Sequence, residues 1–169
     1  MVDIMDLSEY IIYYSNIKDY GISCLKLQKI LYLLQAEWLI TRNERLFADK
    51  IIAWDFGVVV PEVYKKYIQW GGLDIPTSKD KSNINRFKLM ISKKDLRLIN
   101  DLLDYFKNYS AVLLTDITCG QAPWIDAHVY HQDNEVTCDS IRNYFLSDKD
   151  EKPKRKSLKN IHDIEEIKR

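Results

Sequence analysis

The chain has 169 residues, with 25 basic and 25 acidic side chains and three cysteines. This length suits one domain, which buries roughly 70% of its unfolded surface without disulfides, and zero net charge excludes the broad basic surface of a general nucleic-acid binder. The odd number of cysteines and the lack of a signal segment predict a cytoplasmic protein, and the longest apolar run is too short to span a membrane.

Two helices are predicted in the first quarter of the chain. Asp6 and Glu9 are typical of a helix start, and apolar residues at helical spacing predict a helix from Leu7 to Tyr20. The second helix, Leu25–Thr41, is capped by Ser23 and apolar over most of its circumference, so we expect it to be buried at the centre of the fold. Its few polar residues leave at most one narrow side that can reach solvent: Lys26, Gln28, Lys29, Gln35, Glu37 and Thr41.

The next segment is predicted to be extended and then helical. Residues Ile51–Phe56 alternate with a period of two, and Gly57 separates them from the β-branched residues Val58–Val60, which indicates a strand or a small irregular hairpin. Pro61 suits the first turn of a helix because its missing amide hydrogen is not needed there, and the helix is predicted to end at Trp70. Its aromatic residues share one side, and they either pack into the core or form a patch for a partner: Tyr64, Tyr67 and Trp70.

The C-terminal half is predicted to be mainly helical. After a surface loop over residues 73–83, the segment Arg86–Ile91 is compatible with a short second strand. Ser92 with Asp95 resembles a capping box, and it precedes an amphipathic helix that ends near Asn108. Further short helices are expected after Ser110, at Pro123, and after Thr137 or Asp139.

These elements predict a mainly α fold, a compact helical domain around a central buried helix with a small β-strand or hairpin element. The domain is expected to cover residues 1–146. Residues 147–169 are charged and contain Pro153 and the basic cluster Lys154–Lys156, so they predict a flexible C-terminal tail. Isoleucine and leucine spacing near the end of the tail leaves open a segment that folds onto a partner.

The chain has little that indicates catalysis. It contains no phosphate-binding loop, no dinucleotide-binding glycine motif, no HExxH and no GxSxG. Cys119, His128, His131 and Cys138 are candidate zinc ligands, but they lack the close CxxC pair of structural zinc sites, and ordinary loop and helix roles are the alternative. Cys24 is either a small buried residue or a thiol with a depressed pKa at a helix start. We therefore predict no enzyme, no catalytic residues, no metal and no cofactor.

Several motifs, in a fixed order, resemble a known family. They are LKLQKILYLLQAEWL, then LF, then AWDFGVVVPEVYKKY with a following GG, then a capped helix, SAVLLTDIT, the dipeptide PW and finally IRNYF. This order is similar to that of the Panacea antitoxin domain, also called SocA-like, a family often described as phage-associated. The resemblance covers roughly residues 7–146.

The resemblance implies a bacterial or phage antitoxin that neutralises a cognate toxin by direct protein–protein binding. An alternative within the family is a proteolytic adaptor that delivers the toxin to a protease, so the implied partners are a toxin and, in the second case, a protease or chaperone. Outside the family, a small metal-dependent domain or a nucleic-acid-binding domain using Lys154–Lys156 remains open. Aromatic residues concentrate at interfaces, and the predicted partner-binding residues are Trp54, Phe56, Tyr64, Tyr67 and Trp124.

Overall fold

The computed structural model describes residues 1–147, which form eight α-helices and one two-stranded antiparallel sheet. The mainly helical prediction is therefore confirmed. The predicted tail, apart from Ser147, lies outside the described residues. In chain order the elements are α1 (Ile4–Ile17), α2 (Cys24–Thr41), β1 (Ile52–Trp54), β2 (Gly57–Val59), α3 (Pro61–Tyr67) with a 3₁₀ turn (Ile68–Trp70), α4 (Ser82–Met90), α5 (Lys93–Phe106), α6 (Ala111–Cys119), α7 (Ala122–Ala127) and α8 (Cys138–Leu146).

Helix α2 is the central element, as predicted, and other elements surround it. It contacts α1, α3, α5, α6, α8 and β2, and every residue from Lys26 to Leu39 is buried. The prediction that at most one narrow side reaches solvent is therefore confirmed, and the polar residues between Lys26 and Glu37 are buried as well. Gln35 explains why, because its amide donates to the backbone oxygen of Phe47 and its oxygen accepts from the backbone nitrogen of Leu46. Gln35 on the polar side of α2 thus provides hydrogen bonds for backbone groups of Leu46 and Phe47, which lie outside any helix or strand.

Helix α1 begins three residues before the predicted start. Asp3 caps it, accepting hydrogen bonds from the backbone nitrogens of Met5 and Asp6, and the helix ends at Ile17 rather than Tyr20. Asp6 does not act as a cap, because its buried carboxylate forms a two-pronged ion pair with Arg86 of α4. A carboxylate near a helix start is thus used here to hold two helices together.

The segment Arg86–Ile91 was predicted as a short strand, and this prediction is wrong. Residues 86–90 belong to α4, which also takes the last two residues of the predicted 73–83 loop. The side chains that α4 buries, Ile84 and Phe87, are three positions apart, as on a helix, and the ring of Phe87 stacks against Tyr10 of α1 at 4.8 Å between centroids. Packing on α1 decided the conformation of this short segment.

The small hairpin forms as one of the two predicted arrangements. Strands β1 and β2 pair in the register Ile52 with Val59, Ala53 with Val58 and Trp54 with Gly57, which leaves a two-residue turn of Asp55 and Phe56. On its other side β1 is bound by a short extended segment, because the backbone nitrogen of Ala53 donates to the oxygen of Asn134. The hairpin tip is thereby fixed between α2 and the segment before α8.

Most predicted helix starts are confirmed. The side chains of the predicted caps each accept a hydrogen bond from a backbone nitrogen of the first turn: Ser23, Ser92, Ser110 and Thr137. Pro61 opens α3, and Pro123 lies in the first turn of α7. Within residues 1–147, no helix is both long and apolar enough to cross a membrane.

Candidate functional site

Three of the predicted partner-binding residues meet beside the hairpin tip. The rings of Trp54 and Tyr64 pack edge to face, with centroids 5.0 Å apart and an angle of 85° between the planes. The indole nitrogen of Trp124 donates to the backbone oxygen of Trp54 over 3.1 Å. These contacts join β1, α3 and α7, and all three side chains are half-buried. We call Trp54, Phe56, Tyr64 and Trp124 the hairpin-tip cluster.

Phe56 is the exposed member of this cluster. It occupies the two-residue turn, and 79% of its surface is accessible to solvent. A large aromatic side chain exposed to this extent contributes little to the core, so packing within the domain does not explain its presence. Exposed apolar residues also follow Trp124 along the chain: Ile125, Val129 and Tyr130.

Lys29 of α2 holds the backbone beneath Phe56. Its ammonium nitrogen donates to the backbone oxygens of Phe56 and Val58 over 2.7 and 3.1 Å, and the side chain has no solvent exposure. Burial lowers the pKa of Lys29 to about 8. Gly57, between the two bonded residues, has φ 97°, and a Cβ there would lie 2.6 Å from the lysine nitrogen. The turn that presents Phe56 is therefore built directly on the central helix.

His128 and Asp133 brace the same turn, and the sequence did not indicate either role. The ring of His128 stacks on Trp124 with centroids 4.3 Å apart, and its Nε2 lies 2.9 Å from a carboxylate oxygen of Asp55. The indole nitrogen of Trp54 donates to Asp133 over 2.7 Å. The sequence named Lys29 only as one of the polar residues of α2 and did not indicate its contact with the hairpin.

Tyr67 lies apart from the hairpin-tip cluster. It is only 6% exposed and forms part of the core. Its hydroxyl group is buried and has no hydrogen-bond partner among the described residues. The same side chain lines a cavity with Glu9, Lys66 and Trp70, so it belongs to a second surface one helical turn along α3 from Tyr64.

The candidate zinc ligands do not converge. His128 bonds to Asp55, the sulfur of Cys138 accepts from Gln35, and Cys119 lies beside Gly57. Among residues 1–147 there is no group of three or more His, Cys, Asp or Glu side chains arranged to hold a metal ion. Burial raises the pKa of the Cys24 thiol, contrary to the alternative of a depressed value.

Comparisons with known proteins agree with the motif order. The family model described as "Antitoxin SocA-like, Panacea domain" matches residues 27–125. The matched stretch runs from α2 into α7 and includes the hairpin-tip cluster, Lys29 and Tyr67. Searches of curated proteins and of solved structures found no match to the chain.

Proposed function

The chain belongs to the SocA-like antitoxin family with a Panacea domain, and from this membership we propose that it neutralises a cognate toxin by binding the toxin directly. The observation that carries the proposal is Phe56, an exposed aromatic side chain on a turn whose backbone is bonded to the buried Lys29. The proposal assigns the chain no catalytic step. Neutralisation then depends only on the toxin surface that the chain covers.

Aromatic side chains are frequent among the few residues that dominate binding energy at interfaces. Phe56 can supply such an anchor without folding first, because its turn is already fixed by Lys29 and by the Trp54–Gly57 pairing. An anchor that is ordered before binding loses less conformational entropy on association. This support concerns Phe56 in particular, since Trp54, Tyr64 and Trp124 are half-buried and mainly hold the turn.

A stable complex needs about 800 Å² on each partner, which one phenylalanine cannot provide. Further exposed apolar residues follow Trp124 along the chain and are available to a partner: Ile125, Val129 and Tyr130. We propose that the toxin covers the hairpin-tip cluster together with these residues. Polar groups around them would form the rim.

The test is co-expression in a bacterium with the product of the adjacent reading frame, followed by purification through a tag on the antitoxin. The proposal predicts that growth is restored and that both proteins elute as one complex. Restored growth with disappearance of the neighbouring protein would instead indicate delivery to a protease. A harmless neighbour that does not co-purify would contradict the proposed function.

A further inference from the structure

A second candidate site is the cavity that Tyr67 lines. This cavity of about 220 Å³, open to solvent on one side, lies between α1, α3, the 3₁₀ turn and the loop that follows it. Glu9, Lys66, Tyr67 and Trp70 supply its polar and aromatic walls. Ile12, Ile75 and Pro76 supply the apolar walls. The cavity therefore combines a charged pair with a surface on which a flat or apolar group can pack.

The two charged side chains in this cavity differ in their exposure to solvent. A carboxylate oxygen of Glu9 lies 2.8 Å from the ammonium nitrogen of Lys66. The side chain of Glu9 is only 10% exposed, whereas that of Lys66 is 41% exposed. Little free energy is lost when an exposed lysine leaves a surface ion pair, because water solvates its charge. A largely buried carboxylate needs a partner, because an unpaired buried charge is costly. The negative charge is thus the fixed feature of the site, and the positive charge is the replaceable one.

The size of the cavity limits what it can hold. Sites for drug-sized ligands and cofactors have volumes of about 300–1,000 Å³, so this cavity is too small for them. A single side chain from a protein partner fits the volume. Tyr64, in the hairpin-tip cluster, lies three residues before Tyr67 on α3, so Tyr67, which lines the cavity, is about 5 Å further along the helix axis. One partner can reach both.

We propose that this cavity binds an arginine side chain of the protein partner, with Glu9 exchanging Lys66 for the incoming guanidinium group. A guanidinium group offers two parallel donors to a carboxylate, which the point charge of Lys66 does not. Trp70 provides an aromatic wall for the cation. Tyr67 also lines the cavity, and its buried hydroxyl group has no hydrogen-bond partner among the described residues. That the partner is a toxin rests on the proposed function.

The test uses the full chain and a small probe, N-acetyl-arginine amide, with the neutral isostere N-acetyl-citrulline amide as its control. Binding is followed by NMR through the tryptophan indole signals. We expect the arginine probe to shift the Trp70 signal and the citrulline probe to have no effect at equal concentration. Equal binding of both probes, or no binding of the arginine probe up to its solubility, would overturn the proposal.

Three variants separate a cation site from an anion site. Glu9→Gln should weaken arginine binding by about tenfold or more, because it removes the negative charge with which the guanidinium group pairs in place of Lys66. Lys66→Met should strengthen binding several-fold, because it removes the competing cation. Glu62→Gln is the matched control, since Glu62 lies on the same helix in an exposed pair with Lys65, and it should change nothing. Weaker binding in Lys66→Met with stronger binding in Glu9→Gln would overturn the proposal.

The same variants distinguish this inference from the proposed function. If the toxin co-purifies equally with Glu9→Gln and with the unaltered chain, and the arginine probe does not bind, the cavity inference fails and the proposed function stands. If the arginine probe binds with the expected variant pattern but no toxin is captured, the cavity inference stands and the proposed function fails.

Discussion

Replacing Lys29 with methionine tests the connection between the central helix and the hairpin tip. Methionine keeps the length of the side chain but cannot donate the two hydrogen bonds to the backbone oxygens of Phe56 and Val58. Each buried oxygen left without a donor costs about 1–3 kcal/mol. Part of that cost is recovered, because folding of the variant no longer requires a lysine side chain to leave water and to give up its proton. We expect a net loss of about 2–4 kcal/mol in the free energy of unfolding near pH 9.

The loss should depend on pH in a defined direction. Burial lowers the pKa of Lys29 to about 8, from 10.5 for a free side chain. Between these values the unfolded chain binds more protons than the folded chain, so the contribution of Lys29 to stability rises with pH. For a group with these two pKa values, the rise between about pH 7 and pH 9 is about 1 kcal/mol. Lys29→Met should therefore cost about 1 kcal/mol less near pH 7 than near pH 9.

Urea unfolding followed by tryptophan fluorescence measures both quantities. Comparing the variant with the unaltered chain at each pH cancels the titration of buried groups that do not interact with Lys29, such as Tyr10. Lys65→Met is the control, because Lys65 is exposed on α3. A loss below about 0.5 kcal/mol at both pH values, or a loss that shrinks as the pH rises, would refute the role given to Lys29.

Three further substitutions test single features of the fold by the same urea assay. Gly57→Ala should destabilise the chain by about 1–3 kcal/mol, because φ is 97° and the new Cβ would meet the nitrogen of Lys29; unchanged stability would contradict this geometry. Tyr67→Phe should leave stability unchanged or raise it by up to about 1 kcal/mol, since the hydroxyl group has no partner among residues 1–147; a clear loss would reveal a partner. Ser92→Ala should cost about 1 kcal/mol through the lost α5 cap, and no loss would show that the cap is not needed.

Helices whose cap residues and apolar spacing lie within the helix itself were predicted from the sequence. Ser23, Ser92 and Thr137 were identifiable as caps because a cap bonds to a backbone nitrogen two or three residues away. The burial of α2 followed from the number of its apolar residues. The conformation of residues 86–91 could not be predicted from the sequence, because so short a segment fits both the two-residue period of a strand and the 3.6-residue period of a helix. The helix is stabilised by the ring of Tyr10, which is distant in sequence.

The polar residues of α2 show why the site was only partly predictable. Lys29 and Gln28 belong to the polar residues of α2 that the sequence left without assigned partners, and their partners lie about thirty residues later, at Val58 and Val60. No local pattern encodes such a contact. Aromatic content brought Trp54 and Tyr64, whose rings are in contact, into the predicted set. It could not separate the exposed Phe56 from the buried Tyr67.

The affinity of the purified toxin for Phe56→Ser tests the account most directly. The control is Leu89→Ser, because Leu89 is 88% exposed on α4, outside the hairpin-tip cluster. Both substitutions are at exposed sites, so both variants should fold with nearly unchanged stability. We predict that Phe56→Ser raises the Kd by about 30-fold or more, the effect of losing a central aromatic anchor, and that Leu89→Ser leaves it unchanged. A folded Phe56→Ser variant that binds the toxin as tightly as the unaltered chain would contradict the account.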